Sequence, residues 1–156
     1  MKEVVFFSYT GTSEKIARYL ASKLNCRINE IKPNRNRPYM EWLLLSFIPG
    51  LGVGISHRNV EGNEIILCFP KWTFNCPPVT SFLESGELRG RKIYIIVVYG
   101  GWRPEGYTSK YSEIAKKYGG EVVGWKIIRR RHVDEILKGD ELFEEVKNAF
   151  KCAGGD

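Results

Sequence analysis

A short stretch near the start of the chain is rich in hydroxyl side chains: Ser8, Thr10, Thr12 and Ser13, with Gly11 among them. Hydroxyl groups and the unpaired N–H groups of a helix N-terminus are donors that bind phosphate. No lysine or arginine lies between residues 8 and 13, so a phosphate here would be held mainly by hydroxyl and backbone N–H groups. The second interpretation is that these residues only form the turn and the cap of a helix.

The residues on either side of this stretch predict the elements that position it. Residues 4–7 are apolar, with β-branched and aromatic side chains, which predicts a buried strand. Residues after the stretch predict an amphipathic helix with Thr12 or Ser13 as its N-cap, through the helical spacing of Ile16, Ala17, Tyr19, Leu20 and Leu24. The loop has neither the GxxxxGK[ST] pattern of triphosphate loops nor the GxGxxG pattern of dinucleotide loops.

Aromatic side chains follow the third predicted strand, residues 64–69. The candidate binding residues here are Pro70, Lys71, Trp72, Thr73 and Phe74. Pro77 and Pro78 suit the first turn of the next helix, so the loop is short and lies at the carboxyl end of the strand. Trp72 is either a core tryptophan or an aromatic residue that packs on a planar ligand.

A second aromatic loop follows the fourth predicted strand, residues 92–98. Its candidate binding residues are Tyr99, Gly100, Gly101, Trp102 and Tyr107. Two adjacent glycines let the backbone approach a ligand closely, and the aromatic side chains suit a planar one. The sequence leaves open which of the three aromatic residues faces the ligand, with Trp102 favoured.

Five predicted strands alternate with helices, the second strand being residues 26–31 and the fifth residues 121–128. This alternation predicts an α/β fold with a parallel sheet that helices cover on both faces. At 156 residues the chain is expected to form a single domain, residues 1–156.

Two segments resemble the flavodoxin family. Residues 8–14, Ser-Tyr-Thr-Gly-Thr-Ser-Glu, are similar to the flavodoxin phosphate loop S/T-x-T-G-N-T-E, with Thr12 in place of the usual Asn and Ser13 in place of Thr. Residues 70–83 are similar to the flavodoxin run of P-x-W/Y, a short loop and P-P-x-V-x-x-F-L. The resemblance covers nearly the whole chain and is weakest over residues 33–62.

The resemblance implies a three-layer, doubly wound fold with a five-stranded parallel sheet in the order 2-1-3-4-5, in which the loops after strands 1, 3 and 4 meet. It implies FMN as the cofactor, with Trp72 and one aromatic residue of loop 99–107 covering the flavin ring. The phosphate would be held by the first loop, that is Ser8, Tyr9, Thr10, Gly11, Thr12 and Ser13. The implied function is electron transfer, since the flavin supplies the redox chemistry.

Two other functions stay open on the same fold. A flavin-dependent reductase of NAD(P)H or quinones needs little beyond an open flavin face, although no nicotinamide site and no acid, nucleophile or metal constellation is recognisable. A basic binding module without redox function would use Arg129–Arg131, Arg35–Arg37 and exposed aromatic residues, which can stack nucleic-acid bases. Nucleic acid is the less favoured partner, because such a module leaves the meeting of three loops unexplained.

Composition favours an acidic partner. The chain has 24 Lys+Arg against 18 Asp+Glu, a net charge of +6, whereas the flavodoxins that it resembles are usually acidic. A basic surface attracts acidic molecules, so we expect an acidic redox partner, either a ferredoxin-like protein or a reductase. The four cysteines form no CxxC pair and both histidines lie away from them, which argues against a zinc site. No signal-peptide pattern follows the first residues, so a cytoplasmic location with reduced thiols is expected.

Residues 39–48 are apolar on nearly all sides and are followed by Pro49 and Gly50. The segment is too short to cross a bilayer, which takes about 20 apolar residues. A buried helix is the favoured interpretation. A homodimer contact through Trp42–Ile48, a membrane-surface contact and a lid over a cofactor are the alternatives.

Overall fold

Strands and helices alternate along the chain in a computed structural model that describes residues 1–72, 74–101 and 105–154. The strands are β1 (Lys2–Phe6), β2 (Arg27–Glu30), β3 (Lys32–Pro33), β4 (Ile55–Ser56), β5 (Glu64–Pro70), β6 (Lys92–Tyr99) and β7 (Glu121–Arg129). The helices are α1 (Thr12–Leu24), α2 (Tyr39–Ser46), α3 (Pro77–Glu84), α4 (Glu105–Lys117), α5 (Val133–Ile136) and α6 (Glu141–Ala153). A short 3-10 helix, Arg130–His132, joins β7 to α5.

A five-stranded parallel sheet forms the middle layer, in the order β2-β1-β5-β6-β7. Strand β1 lies between β2 and β5, with Lys2 opposite Glu64 and Phe6 opposite Cys68. Strands β3 and β4 pair only with each other, as an antiparallel ladder too short to leave a sequence pattern. The five long strands therefore have the predicted order 2-1-3-4-5, and the predicted fold class is confirmed.

Helices cover both faces of this sheet. One face packs against α3 and α4 through a buried cluster that includes Val5 and Phe82. The other face packs against α1 and α6 through a cluster that includes Val4 and Val146. Burial on both faces explains why β5 and β6 are nearly continuous apolar runs.

Helix α2 differs from its predicted environment. Trp42 and Ser46 are buried, but Met40 and Leu44 are 63% and 64% exposed, so the prediction of a buried helix is wrong. The physical reason is the location of the helix. Trp42 packs against Trp72, beyond the carboxyl ends of β1 and β5. The opposite side of α2 is exposed.

The last part of the chain follows the prediction with one addition. Asp140 is the N-cap of α6, although its carboxylate lies 2.8 Å from Lys23 Nζ and makes no capping hydrogen bond. Helix α5 is the addition, and its four residues are too few for a periodic pattern. Across the residues that the structure describes, no helix is long and apolar enough to cross a membrane.

Candidate functional site

A cleft of about 970 Å³ opens at the carboxyl edge of the sheet, where β1 and β5 lie side by side. The chain runs from β1 to a helix on one face and from β5 to a helix on the opposite face, which leaves a crevice between the two loops. The structure brings all three predicted loops to this cleft, which is lined by Ser8, Tyr9, Thr10, Thr12, Ser13, Pro70, Lys71, Trp72, Phe74, Gly100, Gly101 and Tyr107.

Two of the other candidate residues are described by the structure and lie outside the cleft lining. Gly11 and Tyr99 belong to the loops but do not line the cleft. The Tyr99 ring is instead covered by the guanidinium of Arg129, 5.4 Å from the ring centre. Thr73 and Trp102 lie outside the described residues, so the preference for Trp102 stays a prediction.

Residues 8–13, the hydroxyl loop, are held by a hydrogen bond across their own turn. Ser8 Oγ accepts the backbone N–H of Gly11 at 3.0 Å. Gly11 has a φ of +94°, a conformation that favours glycine, and it is the N-cap of α1. The prediction of Thr12 or Ser13 as the N-cap is wrong, because both residues are already inside the helix and Ser8 closes the turn.

The remaining donors of the hydroxyl loop are available to a ligand. Thr10 and Thr12 both line the cleft, and their hydroxyl oxygens lie 3.5 Å apart. The first N–H groups of α1 have no acceptor within the helix, and the positive end of the helix dipole lies at the same place. Hydroxyls, N–H groups and dipole together make this end of the cleft suitable for an anion.

A second part of the lining is apolar, and we call it the aromatic wall: Tyr39, Trp72, Phe74 and Tyr107. Trp72 is only 8% exposed, and its ring centre lies 5.6 Å from that of Trp42. Tyr107 is also buried. Tyr39 and Phe74 are 49% and 53% exposed, so they offer most of the open ring surface in the wall.

The predicted binding residues include none from α2, although a lid over a cofactor was one of the alternatives for residues 39–48. Tyr39 and Leu43 of α2 line the cleft, as does Pro49 after it. The ring centres of Tyr39 and Tyr9 are 5.8 Å apart, so the aromatic wall and the hydroxyl loop touch there. The only sequence signal was the apolar character of residues 39–48, which does not tell which side of the helix faces a ligand.

A buried asparagine fixes the end of α2 to the loop after β5. The Asn75 side-chain amide donates to the carbonyls of Ile48 and Leu51, at 3.1 and 2.7 Å. Its oxygen accepts the hydroxyls of Thr80 and Tyr111. The amide N–H groups of Asn75 hold the segment after α2, and its oxygen binds α3 and α4. The aromatic wall is therefore one connected unit rather than a free lid.

Three cationic side chains also line the cleft: Lys71, Lys110 and Arg130. Among the described lining residues none carries a carboxylate. Lys110 Nζ donates to the carbonyl of Phe74 at 2.6 Å, and Lys71 Nζ lies 5.7 Å from the centre of the Tyr107 ring. Of the predicted basic run 129–131, only Arg130 reaches the cleft lining. The sequence placed the run Arg129–Arg131 at the carboxyl end of the fifth strand, on the ligand side of the sheet. It gave no signal for Lys110, because α4 meets the cleft only in the fold.

Burial controls the ionisable groups behind the aromatic wall. It raises the pKa of the Tyr107 and Tyr111 phenols, so both stay neutral. The Tyr107 hydroxyl accepts the backbone N–H of Trp72 at 3.5 Å. Cys76 is fully buried outside the lining, and burial raises the pKa of its thiol. Within the described ranges, no group of His, Cys, Asp and Glu could hold a metal ion.

A protein of Archaeoglobus fulgidus, itself uncharacterized, is 46% identical to this chain over 148 residues, which cover 95% of this chain and 97% of the relative. No model of a known protein family matches the chain.

Solved structures share the fold at low sequence identity. A flavoprotein of Lactobacillus acidophilus NCFM in complex with FMN has a TM-score of 0.68 and 19% identity, covering 86% of this chain and 96% of that chain. A putative flavoprotein of Bacteroides uniformis has a TM-score of 0.69 and 17% identity, with coverages of 88% and 97%. The two-electron reduced flavodoxin of Megasphaera elsdenii has a TM-score of 0.53 and 17% identity, with coverages of 82% and 85%. At these identities the likeness shows the fold, which is flavodoxin-like.

Proposed function

We propose that this chain, which belongs to the same protein family as the Archaeoglobus fulgidus relative and has a flavodoxin-like fold, binds FMN in the cleft and transfers electrons. The proposal rests on one observation: the hydroxyl loop and the aromatic wall meet in one cleft, at the carboxyl ends of the neighbouring strands β1 and β5. FMN has a phosphate at one end and a planar ring system at the other, so it needs both kinds of surface at once.

The hydroxyl loop fits the phosphate. Its donors are the hydroxyls of Thr10 and Thr12 and the first N–H groups of α1. The loop itself contains no lysine or arginine. Ser8 contributes indirectly, because its hydroxyl holds the turn through the Gly11 N–H. Phosphate binding by this loop therefore depends on donor placement more than on net charge.

The aromatic wall fits the flavin ring. Bound FMN supplies the redox chemistry at that ring, and the protein supplies apolar surface that excludes water. Tyr39 and Phe74 offer open ring surface, and Trp72 lines the cleft with a small exposed part of its ring. Trp72 as the residue that covers the flavin is part of the proposal.

A titration with FMN tests the proposal. Purified protein is titrated into FMN, and flavin fluorescence quenching and the visible spectrum after desalting are recorded. We expect retained flavin, and an affinity lower by at least about a hundredfold in the double variant Thr10→Val and Thr12→Val. The variant loses two hydroxyl donors, a hydrogen bond to a charged group is worth roughly 1.5–3 kcal/mol, and about 1.4 kcal/mol is tenfold. Ser109→Ala removes an exposed hydroxyl outside the cleft lining and serves as the control.

Riboflavin separates the two halves of the site, since it has the ring without the phosphate. We expect weaker binding of riboflavin than of FMN by the natural chain, and equal binding of riboflavin by the natural chain and the threonine variant. Absence of flavin binding at millimolar FMN would overturn the proposal. Salt-dependent retention on nucleic acid without flavin would then favour the basic binding module.

We propose an acidic redox protein as the electron-transfer partner. The net charge of +6 and the cations at the cleft support it, because opposite charges speed association. The partner test is the rate of electron exchange with an acidic ferredoxin-like protein, which should fall as ionic strength rises. All four cysteines are free, which supports a reducing compartment such as the cytoplasm.

A flavin-dependent reductase of NAD(P)H or quinones is the second candidate function. It is favoured by the exposed rings of Tyr39 and Phe74 in the cleft lining, because a small substrate must reach the flavin. Anaerobic mixing of the FMN-loaded protein with NADH or NADPH distinguishes the two functions. Rapid loss of the flavin absorbance, with catalytic reduction of an added quinone, would assign the reductase.

A further inference from the structure

The cleft offers two different kinds of hydrogen-bond donor. The hydroxyl loop offers neutral donors, whereas Lys71 and Lys110 come from the loop after β5 and from α4 and carry full charges. Both lysines are half-buried. Neither forms an ion pair with a carboxylate in the described part of the chain, although many surface lysines do, such as Lys23 with Asp140.

A half-buried cation is unfavourable when no negative group lies beside it, and the described residues supply no carboxylate to either lysine. The two lysines therefore suggest that an anion binds in the cleft. Desolvation lowers the pKa of both Lys71 and Lys110, because burial disfavours the charged form. Lys110 keeps one hydrogen bond, to the carbonyl of Phe74, and Lys71 lies over the ring of Tyr107. Their remaining N–H donors have no described protein acceptor. An anion in the cleft would offset the cost of holding them there.

We propose that Lys71 and Lys110 form a second anion subsite, which recognises the negative charge that the FMN ring gains on reduction. The inference rests on the proposed function. Reduction adds two electrons and one proton to the neutral ring, so the reduced ring has one negative charge while the phosphate is unchanged. The lysine pair, Lys71 and Lys110, therefore makes the protein hold reduced FMN more tightly than oxidised FMN.

This preference has a thermodynamic consequence that can be measured. Oxidised FMN, reduced FMN and their two complexes form a closed cycle, so the ratio of the two dissociation constants fixes the change in midpoint potential on binding. For a two-electron couple, a tenfold ratio corresponds to about 30 mV. The lysine pair should thus shift the potential of bound FMN to less negative values.

The experiment compares the natural chain with Lys71→Met, Lys110→Met and the double variant. Dissociation constants are measured separately for oxidised FMN in air and for reduced FMN under anaerobic conditions, with dithionite supplying the electrons. The midpoint potential is measured by equilibration with reference dyes. Lys138→Met is the matched control, because Lys138 is exposed and lies outside the cleft lining, so it loses the same charge elsewhere. Chemical denaturation verifies that every variant is folded.

We expect the double variant to bind reduced FMN about tenfold more weakly, with its affinity for oxidised FMN changed less than about threefold. The midpoint potential should fall by the corresponding amount, about 15–30 mV, and Lys138→Met should leave it unchanged. Equal weakening of both forms would assign the lysines to the phosphate and overturn the inference. An unchanged potential in a folded, flavin-loaded double variant would also overturn it. Failure of the natural chain to bind either form would instead overturn the proposed function, and the inference with it.

Discussion

The hydroxyl loop and the aromatic wall line the same cleft but are built in different ways. The loop is six consecutive residues, and its internal hydrogen bond joins Ser8 to Gly11. The wall takes Tyr39 from α2, Trp72 and Phe74 from the loop after β5, and Tyr107 from α4. The loop is a local structure, whereas the wall exists only because distant segments pack together. Substitutions in the wall should therefore cost stability as well as binding, and substitutions in the loop should cost mainly binding.

The largest effect is expected for Trp72 of the wall and for Trp42, which packs behind it. Trp72→Ala and Trp42→Ala should each lower the free energy of unfolding by about 3–5 kcal/mol, because both rings are buried against each other. Only Trp72 lines the cleft, so FMN affinity should fall more in Trp72→Ala. Urea denaturation and FMN titration check both statements. Equal FMN affinities in the two folded variants would remove Trp72 from the flavin contact.

The next effect concerns the anchor of the wall. Asn75→Ala leaves the carbonyls of Ile48 and Leu51 without their donor, and a buried group without a partner costs about 1–3 kcal/mol. We expect the free energy of unfolding to fall by roughly 2–4 kcal/mol, with a weaker FMN complex. Asn148→Ala, at an exposed position of α6, should stay within about 0.5 kcal/mol. A matching loss in both variants would contradict the anchoring role.

A smaller stability effect is expected in the hydroxyl loop. Gly11→Ala should cost about 1–2 kcal/mol, because an L-residue is strained at φ +94°. No atom lies within 4 Å of the added Cβ, so the backbone conformation alone resists the change. Gly139→Ala, which also meets no atom but has no positive φ, is the control. Denaturation curves of the two variants should differ, and identical curves would argue against a left-handed Gly11.

The wall also predicts a pH dependence that the loop does not share. Burial raises the pKa of Tyr107 above its ordinary value of 10, so the folded chain holds its proton at a pH where the unfolded chain releases it. The resulting stabilisation is complete below pH 10 and is lost as the pH rises toward the folded pKa. Unfolding free energies measured from pH 8 to 11 should therefore fall more steeply above pH 10 in the natural chain than in Tyr107→Phe. Parallel curves would contradict this.

The smallest effect on stability is expected on the uncovered side of α2. Leu44 and Ile48 are exposed, so the double variant Leu44→Ser and Ile48→Ser should change the free energy of unfolding by less than about 0.5 kcal/mol. We propose that this side forms the homodimer contact expected within Trp42–Ile48, with Trp42 itself buried in its own chain. Sedimentation should show a concentration-dependent dimer that the variant lacks. A natural chain that stays monomeric at all concentrations would remove the dimer.

The sequence predicted the five long strands in their order and the place of three loops. It also predicted the helix that begins at Pro77. These features depend on patterns that are complete within a few consecutive residues, such as apolar runs, prolines and hydroxyl turns. The predicted N-cap positions, Thr12 and Ser13, lie one and two residues after the observed N-cap, Gly11. Gly11 takes this position because it can adopt a conformation that the hydroxyl residues avoid.

The sequence alone therefore determined the layers of the fold and the hydroxyl loop, since both depend on patterns among residues that are neighbours in the chain. Only the tertiary structure decided which side of α2 is covered and that Trp72 is packed against Trp42. It alone placed Tyr39, Lys110 and Arg130 in the cleft lining. The physical reason is that burial and charge pairing belong to groups distant in sequence, and a helix that is apolar all round carries no pattern that tells its covered side from its open one.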